Sequence, residues 1–309
     1  MRDRSVAADE TGTVTGDGVV VVERHSPEAV FALLANDTRV AILQTLGETP
    51  DVPVPFAHLF DRVDVSDSGQ FNYHLGKLRD SFVRKTDGGY ELTHAGRQVV
   101  GVMYAGTYAT DATVGPIPVD GACPLCDGTM VAEYADETAT IACEGCGEWY
   151  NEFPFPTGTL DGFDREALPG AFDRWMLHVC RGIVAGFCDV CDGRIGGRLV
   201  VDAETAQDDR SPAHVEFECE RCASTSRFSA GLPVRFHPRV EGFLFDHGFD
   251  TRTDPTWTLT AALDSEDVTV RSTDPPRVEV RFTTDGESVT AVVSDDATVT
   301  DVERGPVES

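Results

Sequence analysis

Apolar positions recur at helical spacing from residue 26 onward. Val30, Leu33 and Leu34 follow Ser26-Pro27-Glu28, an N-cap hydroxyl with proline in the first helical position. Asp37 can cap a second helix that carries Val40, Ile42, Leu43 and Leu46 and stops at Gly47. Beyond the proline-broken loop PDVPVP, the residues Phe56, Leu59, Phe60 and Val63 predict a third, short helix. Ser66, Asp67 and Ser68 offer caps for a fourth, with Phe71, Leu75, Leu78 and Phe82 along one face. The stretch FVRKTDGGYELT then reads as strand, Asp-Gly-Gly turn and strand, the pattern of a hairpin. A last helix is predicted from Thr93 to about Tyr108. Residues 1–22 are rich in Gly, Thr, Asp and Val without a period, as expected of a mobile leader.

The later chain changes character. Two cysteine blocks occupy residues 121–230: CPLC at 123–126 with CEGC at 143–146, and CDVC at 188–191 with CERC at 219–222. Leu168, Phe172, Trp175, Met176 and Val179 stand at helical spacing after the first block, and VRFHPRVEGFLFDHGFD is a similar stretch after the second. A unit of ribbon then helix is therefore expected twice. From Trp257 onward, WTLTAAL, DVTVRS, RVEVRFTT, SVTAVVS and ATVTDVE alternate apolar with polar residues between Asp-Pro-Pro and Asp-Gly turns, which predicts an antiparallel meander. The expected division is a leader (1–22), a first domain (23–110), a ribbon with its helix (119–187), a second ribbon with its helix (188–250) and the meander (251–309).

The charge is extreme, with 53 acidic against 25 basic residues and a net charge of -28. The carboxylates are dispersed, so an acidic tail is a poor description. Dispersed acids, scarce lysine and abundant Asp, Val, Thr and Gly resemble proteins of salt-loving archaea. In about 1 M salt the Debye length is roughly 3 Å, so a negative net charge does not exclude a nucleic-acid partner. No apolar run is long enough to span a bilayer and no charged-then-apolar leader is present, so a cytoplasmic protein is expected, with no membrane partner.

Against that background residues 71–97 hold five cations, Lys77, Arg79, Arg84, Lys85 and Arg97, and three carboxylates. The two lysines are the only ones in the chain. The order helix, helix, helix, helix, hairpin, helix is that of a winged helix-turn-helix. The stretches LLANDTRVAILQTL and FNYHLGKLRDSFVRKTDGGYELTHAG resemble the ArsR-type regulators of bacteria and archaea over roughly residues 26–105, and the rest resembles haloarchaeal regulators of similar layout. The resemblance implies a regulator that binds double-stranded DNA, as a homodimer, with the fourth helix as recognition helix. Its polar face would offer Ser68, Gln70, Asn72, Tyr73 and Lys77 to base edges, with Arg84 and Lys85 at phosphates. His74 and His94 are read as structural. Relatives of this type often sense metals, but no cysteine pair lies in the first domain, so that role does not carry over. The competing reading makes the winged helix a protein-contact module within a zinc-ribbon scaffold for protein or RNA.

Each C-x-x-C can place two thiolates at adjacent corners of a tetrahedron, and a second pair closes it. Cys123, Cys126, Cys143 and Cys146 are one expected zinc set, and Cys188, Cys191, Cys219 and Cys222 the other. Two structural zinc ions per chain follow. A dithiol redox pair lacks its βαβ setting, and an iron–sulfur cluster is the remaining alternative. Gly128, Gly193 and Gly147 are placed to make the sharp turns. Cys180 sits among apolar residues and is read as core. His237, Asp246 and His247 are read as decorating a helix. No phosphate loop, dinucleotide fingerprint or nucleophile motif occurs, so no enzymatic activity is expected. The C-terminal region would serve as a platform for transcription machinery or an effector. The whole is expected to be α+β: a winged helix, two zinc-ribbon and helix units, and a β-meander.

Overall fold

The computed structural model describes residues 13–15, 18–20, 26–49, 52–106, 111–201, 211–263 and 265–307. Among the described residues helix and strand are nearly balanced at 36% and 34%, and every pairing between named strands is antiparallel. The chain divides into two compact units, 1–109 and 110–309. Among the described residues no single helix is long and apolar enough to cross a membrane. Most of the leader, residues 1–12, 16–17 and 21–22, lies outside the described residues. Its described part is a strand pair, β1 (Thr13–Thr15) with β2 (Gly18–Val20).

The first unit continues with α1 (Pro27–Leu34), α2 (Asp37–Gly47), α3 (Phe56–Arg62), α4 (Ser68–Leu78), β3 (Val83–Thr86), β4 (Gly89–Leu92) and α5 (His94–Tyr104). Local chemistry sets most boundaries. Ser26 caps α1 by accepting from the Ala29 amide, and Pro27 follows it. Asn36, one residue before the expected Asp37, caps α2, because its extended backbone turns Oδ1 onto the Arg39 amide. Asp67 caps α4 through the Gln70 amide at 2.7 Å, and Thr93 caps α5. The expected extension of α5 to Tyr108 partly falls on residues outside the description. Phe82 is buried but lies beyond α4: the helix ends at Leu78 and Asp80 takes a left-handed φ of 70°.

The core of this unit joins Ile42, Leu43 and Leu46 of α2 with Leu59 of α3, Phe71, Leu75 and Leu78 of α4, and Leu92 of β4. Phe71 is wedged edge-on between Phe56 and Phe60, each 5.3 Å between centroids. The β3–β4 hairpin turns at Asp87-Gly88, and Val54 bridges Tyr90 through reciprocal amide bonds of 2.8 and 2.9 Å. That bridge brings the loop against Gly89, whose φ is 137°. A Cβ there would meet the Val54 carbonyl oxygen at 2.3 Å, so only glycine fits.

The second unit opens with a four-stranded sheet, β5 (Val114–Ala122), β6 (Thr129–Ala135), β7 (Thr138–Cys143) and β8 (Tyr150–Pro154), in sequential order. Helix α6 (Leu168–Val184) follows. A three-stranded sheet comes next, β9 (Ile195–Val201), β10 (Ala213–Cys219) and β11 (Thr225–Ser229), with β10 central. Then come α7 (Gly231–Arg235), α8 (Pro238–Asp246) and α9 (Thr256–Ala262). A four-stranded meander ends the unit: β12 (Ser265–Thr273), β13 (Pro276–Thr284), β14 (Glu287–Val293) and β15 (Val299–Pro306).

WTLTAAL, expected as the first strand of the meander, is instead α9. Pro255 precedes it, and the buried Asp173 on α6 receives its first-turn donors: the Thr256 amide at 3.1 Å and the Thr256 hydroxyl at 2.5 Å. A remote acceptor at a helix N-terminus satisfies donors that have no partner within the helix, and alternation along the sequence cannot reveal it. Burial pushes the Asp173 pKa up, against the two bonds from Thr256. Asp173→Ala is expected to cost about 2–4 kcal/mol, because two buried donors lose their acceptor. The sign with pH follows from the raised folded value. The contribution of Asp173 is full below the ordinary carboxylate pKa of about 4 and declines as pH rises through the folded value. Denaturant melts of wild type and variant across that range should therefore converge as pH rises.

Two apolar cores run through the second unit. One joins Met130, Ala132, Tyr134, Ala139 and Ile141 of the first sheet with Phe172 of α6 and Trp257 of α9. The other joins Leu199, Val215 and Phe217 of the second sheet with Val240 and Phe243 of α8 and Val278, Val280 and Val289 of the meander. The stretches 188–250 and 251–309, expected as separate modules, thus close around a shared core. Helix α6 enters both cores, with Phe172 at one end and Ile183 at the other.

Candidate metal centres and an exposed helix face

The first two sheets of the second unit each carry cysteines at one end. Cys123 follows β5, Cys126 precedes β6, Cys143 closes β7 and Cys146 precedes β8. In the second sheet Cys188 and Cys191 precede β9, Cys219 closes β10 and Cys222 precedes β11. The eight thiols gather as two sets of four, all ligand atoms within a set lying within 4.8 Å of one another. The Sγ atoms of Cys123 and Cys146 are 3.8 Å apart, and those of Cys126 and Cys143 are 3.6 Å apart. In the second set, Cys188–Cys222 and Cys191–Cys219 are both 3.6 Å. A tetrahedron with a Zn–S bond of about 2.3 Å has an edge of about 3.8 Å, whereas a disulfide is about 2.05 Å long. The geometry is that of a four-thiolate metal site, and zinc fits it.

The backbone builds this spacing the same way four times. The chain reverses after each C-x-x-C: Asp127 donates to the Cys123 carbonyl at 3.0 Å, Gly147 to Cys143 at 3.2 Å, Asp192 to Cys188 at 3.0 Å and Ala223 to Cys219 at 3.0 Å. All four donors have left-handed φ, between 53° and 68°. The expected turn glycines are thereby corrected in part. Gly147 holds the left-handed position, but Gly128 and Gly193 lie one residue beyond it. Their role is space: a Cβ at Gly128 would sit 3.1 Å from the sulfurs of Cys126 and Cys143, and one at Gly193 would sit 3.0 Å from that of Cys191.

Backbone amides also point at the sulfurs. Leu125 donates to Cys123, Gly145 to Cys143, Val190 to Cys188 and Arg221 to Cys219, at 3.3–3.4 Å. Amide donors favour the thiolate over the thiol. The Cys143 thiol is lowered to about 6 by the backbone amides of Cys146 and Gly145, and Cys219 to about 6 by those of Cys222 and Arg221. Burial and the neighbouring sulfurs push Cys191 up to about 12. A divalent cation at the centre would hold all four sulfurs as thiolates. With every corner sulfur, such an ion has no place left for substrate or water, so its contribution is cross-linking.

The remaining candidates are not brought together. Cys180 is buried in α6, away from both sets, and burial pushes its thiol up to about 12, the state of an inert core cysteine. His237 caps α8, Asp246 pairs with Arg304, and His247 bonds the Phe243 carbonyl at 2.8 Å.

On α4, Phe71, His74, Leu75 and Leu78 are buried, while Ser68, Gln70, Asn72, Tyr73 and Lys77 are all exposed. Lys77 Nζ lies 5.5 Å from the centre of the Tyr73 ring, which is 57% exposed. Lys85 is exposed beside Tyr90. Arg84 is exposed too, but its guanidinium is already paired with Glu91, directly across the hairpin. Sequence spacing does not show that register.

Residues 120–299 match a family described as a domain of unknown function (DUF7351), and residues 27–103 match another such domain (DUF7347). No curated protein and no solved structure matches the chain.

Proposed function

We propose that this chain, which belongs to the DUF7351 family, is a sequence-specific DNA-binding transcriptional regulator with an ArsR-like winged helix and two structural zinc ions. One observation carries the reading. The polar residues of α4 form a continuous exposed face on a helix anchored from beneath by Phe71, Leu75 and Leu78. A helix presented in this way enters a major groove. Gln70 and Asn72 can each bond adenine bidentately, Ser68 can donate or accept, and Lys77 reaches guanine or phosphate. Lys85 contacts backbone phosphate, while Arg84 does so after leaving Glu91. The exposed Val102 and Tyr104 of α5 support that helix as the dimer element. The second unit, cross-linked by its zinc ions, acts as a platform for effector or transcription machinery.

The test begins by selecting duplexes from a random library with the full chain over a range of salt concentrations. Gln70→Ala, Asn72→Ala and Lys77→Ala together are expected to weaken binding of the selected duplex at least 100-fold, at about 1–3 kcal/mol per specific base contact. Thermal unfolding should not change, because all three side chains are exposed. Lys77→Ala alone should lower the slope of log K against log salt by about 1. Binding that survives the triple substitution in a folded protein would instead support the zinc-ribbon scaffold reading.

A further inference from the structure

The two cysteine-tipped sheets can be aligned by register. Cys143 pairs with Met130 in the first, and Cys219 pairs with Ile195 in the second. Counting three residues from each pair along the strands reaches the middle row of each outward face. In the first sheet this row is Glu133–Thr140–Glu152, running across β6, β7 and β8. In the second it is Arg198–Glu216–Arg227, running across β9, β10 and β11. Neighbouring strands lie about 4.8 Å apart, so the two end groups of either row are about 10 Å apart. The rows therefore match in spacing and oppose in sign.

Both rows are available. Glu133, Glu152, Arg198 and Arg227 are all exposed. The cationic row is internally organised: Arg198 bonds Glu216, His214 donates Nε2–H to Glu216 at 3.0 Å, and Arg227 donates to His214 Nδ1 at 3.2 Å. Glu216 thus holds Arg198 directly and Arg227 through His214, and the row keeps a net positive charge. The anionic row carries two exposed carboxylates and no cation of its own, while Arg165 reaches the edge strand through the Pro116 carbonyl at 2.9 Å. Such a row favours a cationic protein surface. Beside it runs an apolar row, Val131–Ala142–Tyr150, with Tyr150 53% exposed.

We propose that the outward face of the first sheet is a docking surface for a second copy of this chain, which presents its Arg198–Glu216–Arg227 row to Glu133–Thr140–Glu152. Each guanidinium meets a carboxylate, and the Thr140 hydroxyl donates to Glu216. With the strands of the two sheets antiparallel, the Val131–Ala142–Tyr150 row covers Val200–His214–Ser229 and leaves Glu218 outside. The two faces differ, so the contact is heterologous. Each patch is small, so association depends on concentration and weakens as salt rises.

The test is sedimentation equilibrium of the full chain across concentration and salt. Glu133→Arg with Glu152→Arg should weaken self-association at least tenfold, and so should Arg198→Glu with Arg227→Glu. An equimolar mixture of the two variants should associate as the wild type does. Unchanged metal content and thermal unfolding establish that each variant is folded. If Arg198→Glu/Arg227→Glu loses metal, Arg198→Gln/Arg227→Gln replaces it, again with at least tenfold weakening expected. In that case charge pairing is read from Glu133→Arg/Glu152→Arg mixed with wild type, which should associate through the one complementary face that remains. A wild type monomeric throughout, variants that associate like wild type, or a mixture that fails to recover would overturn the proposal. The second result is also what dimerisation through α5 alone would give.

Discussion

Replacing Cys143 by Ser is expected to remove one metal ion per chain and to unfold the first sheet of the second unit. Cys143 is buried at one corner of its site, and it also belongs to the apolar core with Met130, Ile141 and Phe172. A structural zinc in a small module is worth roughly 10 kcal/mol or more of folding free energy. That exceeds or equals most of a domain's margin of about 5–15 kcal/mol. Metal analysis should give two ions per wild-type chain and one in Cys143→Ser or Cys219→Ser. A strong chelator should abolish the near-ultraviolet dichroism of Trp149, Trp175 and Trp257. Lower pH should release the metal, because protons compete for each thiolate. A thermal transition indifferent to chelator would sink the assignment of structural metal. Visible absorption by the purified protein would point to an iron–sulfur cluster instead.

The second large effect is expected at Phe172. Its ring is fully buried, 4.8 Å from Phe155 edge-on and 6.1 Å from Tyr134, whose ring is inclined by 30°. Tyr134 is fixed in turn by the Phe155 carbonyl at 3.0 Å and the Thr157 hydroxyl at 2.7 Å. Little around this trio can collapse into a void, so Phe172→Ala should cost about 3–5 kcal/mol. For a unit of this size that corresponds to a fall in melting temperature of roughly 6–20 °C. Phe163 is 39% exposed, and Phe163→Ala should stay within about 0.5 kcal/mol. If the two substitutions cost the same, the first core has been misassigned.

The legible parts of this protein share a physical feature: their causes lie within a few residues of one another. A hydroxyl or carboxylate caps the amide three residues on, as at Ser26, Asp67 and Thr93. A C-x-x-C needs only one tight turn to bring its sulfurs together. The bend of each C-x-x-C and the exposed side of α4 could therefore be read from spacing alone, while strand pairing brings the two halves of each sulfur set together. The helix at Thr256–Ala262 could not, since the carboxylate that caps it is 83 residues away.

Charge shows the limit of spacing: it sets Arg84 beside Lys85 at the base of the hairpin, and only strand register brings Glu91 against the Arg84 guanidinium. The carboxylates are dispersed along the sequence, and strand pairing sets Glu133 with Glu152 on one sheet and Glu216 between two arginines on another.

Short-range sterics and hydrogen bonding thus settle the starts of α1, α4 and α5, the hairpin turn and the bend of each C-x-x-C. Tertiary structure alone decided which remote groups meet: the carboxylate under α9, the core shared by the second sheet and the meander, and the order of charges across each sheet. The reason is that strand register and helix packing are set by burial summed over many distant side chains, and no single interval of sequence contains that sum.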